Sequence, residues 1–449
     1  MFRNAGLLLG GQGLAGLCGL AALALAARAL GAEQFGALVL IHAYALVVAT
    51  MVRFNGWYAL IRYGAACLRE ERRCDLQGLI RFGVVLDGGG AVVGALAAVA
   101  AAPIVGPWLG WPPDAVAAGQ AYGLVVVFNA TDTPTGILRL FDRFDVLAWL
   151  RPCAPVGRCA GAVAAYAVGA DLDTFLIVWF VTEVADSVLL WGVAIRELAR
   201  RGHLAGMKLG LRGLARPHPG IWRLLWSTNL NSTLGMVLGR LTTLVVGSVL
   251  GPVEAGLYAV ATQFAAVVER PVDMLRRTIY PELARLAAAA DVAGMCSLGV
   301  RSGLVVGTCA LPLLFVVIAF AEPALRLSVG ESYIEAATVL AWLIGRQAVL
   351  AFGFPLSLIL VSLDRAGALL KANVATSVLY VGLLMPALTR WGVDGAGFAA
   401  ATAAVIATGL HAAMVVRTFR HKAMPAGARG RRLEATPTAP PPDAPARGP

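Results

Sequence analysis

Three arginines in this 449-residue chain stand where a charge is costly: Arg53, Arg240 and Arg346 each lie within an apolar run rather than at its edge. In "NSTLGMVLGRLTTLVVGSVLG" (231–251) Arg240 is the single ionisable residue. A charged side chain near the centre of a bilayer costs about 2.5–3.5 kcal/mol even on lenient insertion scales, so such residues are functional candidates by default. A guanidinium keeps its charge when buried, and its planar fork can engage phosphate oxygens two at a time. Arg240 and Arg346 lie 14 and 12 residues into their runs, too deep for easy snorkelling, and are the stronger binding candidates. Arg53, nine residues before Arg62, can reach the membrane surface instead. All three could alternatively pair with carboxylates on neighbouring helices.

Those carboxylates are few. Asp87, Asp132, Glu183 and Asp186 fall in apolar runs of the N-terminal half, with Glu269 and Asp273 later. Glu183 and Asp186, three apart, share a helix face. Two adjacent carboxylates in low dielectric resist simultaneous ionisation, so one tends to hold a proton. Asp132, Glu183 and Asp186 are therefore candidates for a coupling proton or sodium ion. Asp132 lies in "NATDTPTG" (129–136), where Pro134 should remove a backbone hydrogen bond and Gly136 should loosen the helix. Asn129 and Thr131, Thr133 and Thr135 add oxygens. Broken helices persist at membrane depth where they line a polar cavity or are buried in protein.

The elements that carry these residues follow from hydropathy. The chain is 59% hydrophobic and 14% charged, with a mean hydropathy of +0.75, against roughly 25% charge in soluble domains. Twelve runs approach the roughly 20 residues that span a bilayer, six between about 5 and 195 and six between about 226 and 416. The expected fold is an all-α integral membrane protein with twelve transmembrane helices. Basic residues should collect in cytoplasmic loops. With Arg3 inside, 31 of the 37 do so, the exceptions being Arg28, Arg326, Arg390 and the three arginines within runs. Both termini are then cytoplasmic. The net charge of +11 is explained without a nucleic-acid partner.

"ALAARALGA" resembles a signal-peptidase site, but the preceding apolar run exceeds the 7 to 15 residues of a signal peptide and reads as helix one. The basic, Pro-rich tail "RGRRLEATPTAPPPDAPARGP" reads as disordered. The seven cysteines suggest no disulfide framework, and neither a metal site nor a cofactor motif is visible. The external loops are short. "APIVGPWLGWPPDAVA" holds one carboxylate, Asp114, and "EPALRLSVGESYIE" holds Glu322, Glu331 and Glu335 without histidine. Neither has an acid/base constellation, which disfavours an enzyme such as a membrane glycosyltransferase or ligase. Trp108 and Trp111 read as headgroup anchors. Arg139, Arg143, Arg276 and Arg277 at the inner mouth would gather an anion.

The longest loop between runs divides the chain into a six-helix lobe (1–197), a basic connecting loop (198–224), a second six-helix lobe (225–418) and the tail (419–449). At an offset of 220, residues 27–48 fall over 247–268, matching Leu30 with Leu250, Gly31 with Gly251 and Gly36 with Gly256. An even number of helices per repeat gives both lobes one orientation, related by an axis along the membrane normal. Transporters so built place the substrate path between the lobes.

The stretches "RNAGLLLGGQGLAGL", "ARALGAEQFGALVLI" and "GLYAVATQFAAVVERPVDMLRRTIYPELARL", with twelve spans and a central basic loop, resemble the polysaccharide-transport branch, which includes the O-antigen flippases, of the multidrug/oligosaccharidyl-lipid/polysaccharide exporter superfamily. The resemblance implies a bacterial inner membrane and alternating access by a V-shaped pair of lobes. It also implies an undecaprenyl-diphosphate-linked oligosaccharide as substrate, with a polysaccharide polymerase and a chain-length regulator as partners. Arg240 and Arg346, with Arg53, would then hold the pyrophosphate. The alternative is a multidrug antiporter for organic cations, which the buried acids of the N-terminal half would suit.

Overall fold

The computed structural model describes residues 2–206, 220–289, 291–363 and 365–423. Among them no strand occurs. In the first half the helices are α1 (Phe2–Val52), α2 (Trp57–Arg69), α3 (Arg73–Trp108), α4 (Pro113–Gly123), α5 (Val125–Phe128), α6 (Asp132–Leu140), α7 (Phe144–Leu150), α8 (Cys153–Ala167) and α9 (Leu172–Arg200). The second half has α10 (Ile221–Leu250), α11 (Pro252–Ala288), α12 (Val292–Ala319), α13 (Ala321–Ser328), α14 (Ala336–Ser362), α15 (Ala366–Trp391) and α16 (Val393–Ala423). Part of the connecting loop, 207–219, and most of the tail lie outside the described residues, as do the side chains of Glu269, Asp273, Arg276 and Arg277.

Seven helices are long and apolar enough to cross a membrane by composition alone. The twelve expected spans are compatible with this architecture: α1 is two rods meeting at Gly31, and α4 to α6 form one interrupted crossing. The protein is a multi-pass membrane protein. Its outer surface is correspondingly apolar, with Ile104, Val168 and Phe315 each more than 70% exposed. Only 28% of the most apolar window of α3 is buried. Lipid is the solvent for which such a surface is stable.

The repeat noticed in the sequence has a physical counterpart. Gly31 (φ 71°, ψ 175°) ends the first rod of α1, and Gly251 (φ 102°, ψ 175°) separates α10 from α11. Both conformations are closed to residues with a Cβ, so the matched glycines make the same break at matched places. Their partners Gly36 and Gly256 then meet each other. A Cβ on Gly36 would lie 1.9 Å from the Pro252 carbonyl oxygen, and one on Gly256 would lie 3.4 Å from the Gly36 Cα. Small residues allow this backbone approach where side chains would hold the helices apart. One continuous core results, running from Phe35, Leu38 and Ile41 into Leu257, Tyr258 and Ala261.

The halves are sealed at this end. Phe35 packs edge-on against Tyr333 with ring centroids 5.7 Å apart, Arg28 donates to the Leu327 carbonyl, and Gly110 abuts Pro252. At the other end the N-terminal half has its own core of Leu60, Leu76, Leu79, Ile137 and Leu138. Ile221 and Leu225, at the start of α10, pack into it. Trp111, expected at the headgroups, is instead 4% exposed and packs against Tyr44 (5.6 Å between ring centroids), whereas Trp108 is 67% exposed.

Candidate substrate-binding site

Below the sealed end a cavity of about 480 Å³ opens between the halves, lined by α1, α8, α9, α10 and α11. Arg240 of α10 lines it. Its Nη1 donates to Thr50 Oγ1 at 2.7 Å and to the Leu46 carbonyl at 3.3 Å, both on α1 and both neutral. Among the described residues Arg240 has no carboxylate partner. Small residues, Ala15, Gly19 and Gly239, leave the space in front of it open.

A second arginine shares the cavity. Arg158 of α8 donates to Glu183 at 2.6 Å and lies over the Trp179 ring at 5.3 Å. Sequence reasoning does not single out Arg158, but α8 starts at Cys153, so the guanidinium stands more than a turn inside its helix. The available signal was the short distance from Pro152 to Arg158 once a helix starts between them. His42 lines the same wall, held by Tyr122 at 2.7 Å, and Gln263 faces them from α11.

A second cavity of about 470 Å³ lies within the C-terminal half and shares Gly239 and Thr262 with the first. Arg346 lines it, with Gln347, Thr376 and Tyr258, and with Tyr380, whose hydroxyl lies 2.7 Å from Thr242 Oγ1. No hydrogen bond or ion pair engages Arg346 among the described residues. The two deep arginines of the C-terminal half thus line adjoining cavities.

Arg53 is placed differently. The second rod of α1 stops at Val52, Asn55 takes a positive φ of 50°, and α2 begins at Trp57. Arg53 therefore sits at a chain break, not within a span, and pairs with Asp132. It lines neither large cavity. Asp132, a coupling-ion candidate, and Arg53, a substrate-binding candidate, are brought together. Asp87 accepts from the Thr133 backbone N–H at 2.6 Å and so caps α6 from α3. Glu183 is paired with Arg158, and Asp186 is partly exposed one turn further along α9.

The interruption in "NATDTPTG" also differs from the expectation. The helix breaks at Asn129–Thr131, and Pro134 falls in the first turn of α6. First-turn N–H groups have no intrahelical acceptor, so proline is tolerated there. Gly136 is a packing residue: a Cβ there would lie 2.8 Å from Leu60 Cδ1 and 3.0 Å from Trp57 Cα. At the mouth, Arg139 stacks on Trp57 at 4.2 Å, and Arg143 bridges Asp145 (3.0 Å) and Glu197 (2.8 Å).

The family described as polysaccharide biosynthesis protein matches residues 25–338. The inner membrane protein YghQ of Escherichia coli (strain K12) is 31% identical over 336 residues, 75% of this chain and 94% of that protein. The chain belongs to the polysaccharide biosynthesis protein family. Solved structures show how this family member is folded. An inward-facing multidrug resistance MATE family transporter of the MOP superfamily superposes with a TM-score of 0.73 at 13% identity, over 92% of this chain and 95% of that one. Lipid II flippase MurJ, in an inward closed conformation, gives 0.67 at 12% identity, over 91% and 87%. An outward-facing MATE transporter gives 0.61 at 14% identity, over 92% and 93%. All three share the fold of this chain.

Proposed function

We propose that the protein is a flippase that carries a lipid-linked oligosaccharide across the bacterial inner membrane by alternating access. Two six-helix lobes, 1–197 and 225–418, rock about the Gly36–Gly256 crossing. With both termini cytoplasmic the sealed end is periplasmic, and the cavity receives substrate from the cytoplasmic leaflet. Arg240, held by neutral acceptors in the inter-half cavity, is the observation that carries this reading. Its charge is left for an anion, and the pyrophosphate of an undecaprenyl-diphosphate-linked oligosaccharide supplies oxygens spaced for a guanidinium fork. Arg346, in the adjoining cavity, extends the positive path where glycan hydroxyls meet Gln347 and Thr376. The polymerase and chain-length regulator act on the delivered product.

An organic-cation antiporter is disfavoured by the same geometry. Asp132 and Glu183 are each paired with an arginine, Asp87 caps a helix, and the large cavities are lined by guanidinium groups. In proteoliposomes holding an undecaprenyl-diphosphate-linked oligosaccharide, Arg240→Ala and Arg346→Ala should each lose flipping while inserting normally. Arg240→Lys should restore it in part. Wild-type flipping by Arg240→Ala would end the role assigned to that residue.

A further inference from the structure

One polar side chain of the inter-half cavity is held from outside it. His42 of α1 lines the cavity, and its Nδ1 lies 2.7 Å from the hydroxyl of Tyr122 on α4. The two rings meet edge to face, with centroids 5.9 Å apart. Tyr122 is 3% exposed, and among the described residues its hydroxyl has no other hydrogen-bond partner. That count assigns the tautomer. Were the proton on Nδ1, Tyr122 would have to accept it, and the phenol's own hydrogen would be buried without an acceptor, which is costly. Tyr122 therefore donates to a bare Nδ1, and the imidazole carries its single proton on Nε2. An imidazolium would strand the phenol hydrogen in the same way. The Nε2–H makes no bond among the described residues, while the ring is half-buried and borders the cavity.

The position of this donor relative to Arg240 follows from the helix. His42, Leu46 and Thr50 fall at four-residue intervals, so they share one face of α1. Arg240 is fixed against the Leu46 carbonyl and the Thr50 hydroxyl. His42 stands the next turn along, about 6 Å of helix rise from Leu46. We propose that His42 is the neutral hydrogen-bond donor that orients the anion held by Arg240, and that Tyr122 is the positioning residue that keeps the donor nitrogen turned into the cavity.

The inference rests on the anion-binding reading of this cavity and adds to it the way the anion is turned. Arg158 is offset by Glu183, so Arg240 supplies the attraction. A neutral N–H adds direction without a further charge to be overcome at release. Two donors about one helical turn apart suit an oxyanion with two linked acceptor groups, a diphosphate with one phosphate on the guanidinium and the other on the imidazole. The opposite tautomer would aim a lone pair at the same phosphate and repel it, which is why the Tyr122 hydroxyl matters.

The test uses the purified full chain in detergent, with inorganic pyrophosphate as the probe, followed by isothermal titration and by nitrogen NMR of histidine-labelled protein. His42→Gln identifies the His42 resonances by their loss. In the wild type Nε2 should be protonated and Nδ1 bare, and the Nε2 signal should move when pyrophosphate is added. His42→Phe, which keeps a ring against Tyr122, should weaken binding by roughly tenfold, as expected for a lost hydrogen bond to a charged group. His42→Gln, whose amide can place an N–H near the same point, should recover most of the affinity. Tyr122→Phe removes one hydroxyl, should mix the two tautomers in the spectrum and should weaken binding by about threefold. It serves where His42→Phe does not fold, and a purely structural role for Tyr122 would leave the tautomer signal where it was. A wild-type Nδ1 that carries the proton, or unchanged affinity in His42→Phe with binding lost in Arg240→Ala, overturns the role of His42 and leaves the anion cavity standing. No pyrophosphate binding by the wild type overturns both.

Discussion

A buried arginine means different things according to what is opposite it. Arg53, Arg158, Arg240 and Arg346 share a side chain, yet among the described residues the first two pair with carboxylates and the last two do not. Arg158 is the instructive case, since it lines the inter-half cavity while its charge is offset by Glu183 at 2.6 Å. Removing that carboxylate leaves the cavity one unit more positive. A unit charge about 10 Å from a bound anion contributes about 1.7 kcal/mol at an effective dielectric of about 20. Glu183→Gln is therefore expected to tighten inorganic pyrophosphate binding by roughly tenfold in isothermal titration, with Arg158 still held against Trp179 and Thr182. Unchanged affinity would place Arg158 outside the anion's reach. Sequence reasoning singled out Arg240, Arg346 and Arg53 by depth alone, and depth says nothing about partners.

At the scale of the helix, the interrupted crossing shows why composition and position must be read together. Proline and glycine in "NATDTPTG" do signal an interruption, but they do not mark its place. The break precedes them, at Asn129–Thr131, because Asp87 supplies a cap for the new N-terminus and Trp191 takes the Ala130 carbonyl. Two substitutions separate the roles. Pro134→Ala should change the melting temperature little, because no helical hydrogen bond is missing at that position. Gly136→Ala, whose Cβ would press into Leu60 and Trp57, should destabilise by about 1–3 kcal/mol, the usual cost of overpacking. Thermal unfolding in a mild detergent, followed by circular dichroism, measures both. A larger loss for Pro134→Ala than for Gly136→Ala would restore proline as the breaker.

Across the whole molecule, the two halves approach closely where Gly36 lies against the Pro252 backbone and Gly256 lies against Gly36. Gly36 and Gly256, which the 220-residue offset matches, meet at this crossing. The crossing also lies beside the sealing contacts of Arg28, Phe35 and Tyr333. A methyl group at position 36 cannot be absorbed by rotating a side chain, because its neighbour is the Pro252 backbone. Gly36→Ala should therefore open the sealed end and shift the population toward the opposite-facing form. Spin-label distances between positions flanking Gly31 and Leu327 should lengthen relative to wild type, and flipping should fall. Unaltered distances would assign the close approach to packing alone.

The sequence by itself determined what depends on transfer between water and lipid. Its apolar runs established a helical, multi-pass membrane protein, its basic residues implied an orientation, and a glycine pattern suggested the repeat, because hydropathy and positive φ are properties of single residues and short stretches. The family was also legible, from "ARALGAEQFGALVLI" and its companions. Only the tertiary structure decided which charges meet. Arg53 and Asp132 are 79 residues apart, Arg158 and Glu183 25, Arg240 and Thr50 190. Nothing local to any of them encodes the partner, since the pairing is set by which helix faces turn inward and how closely glycines let the backbones approach. That same packing placed Arg240 at a cavity and Arg53 at a lock, a distinction that the apolar runs around them do not carry.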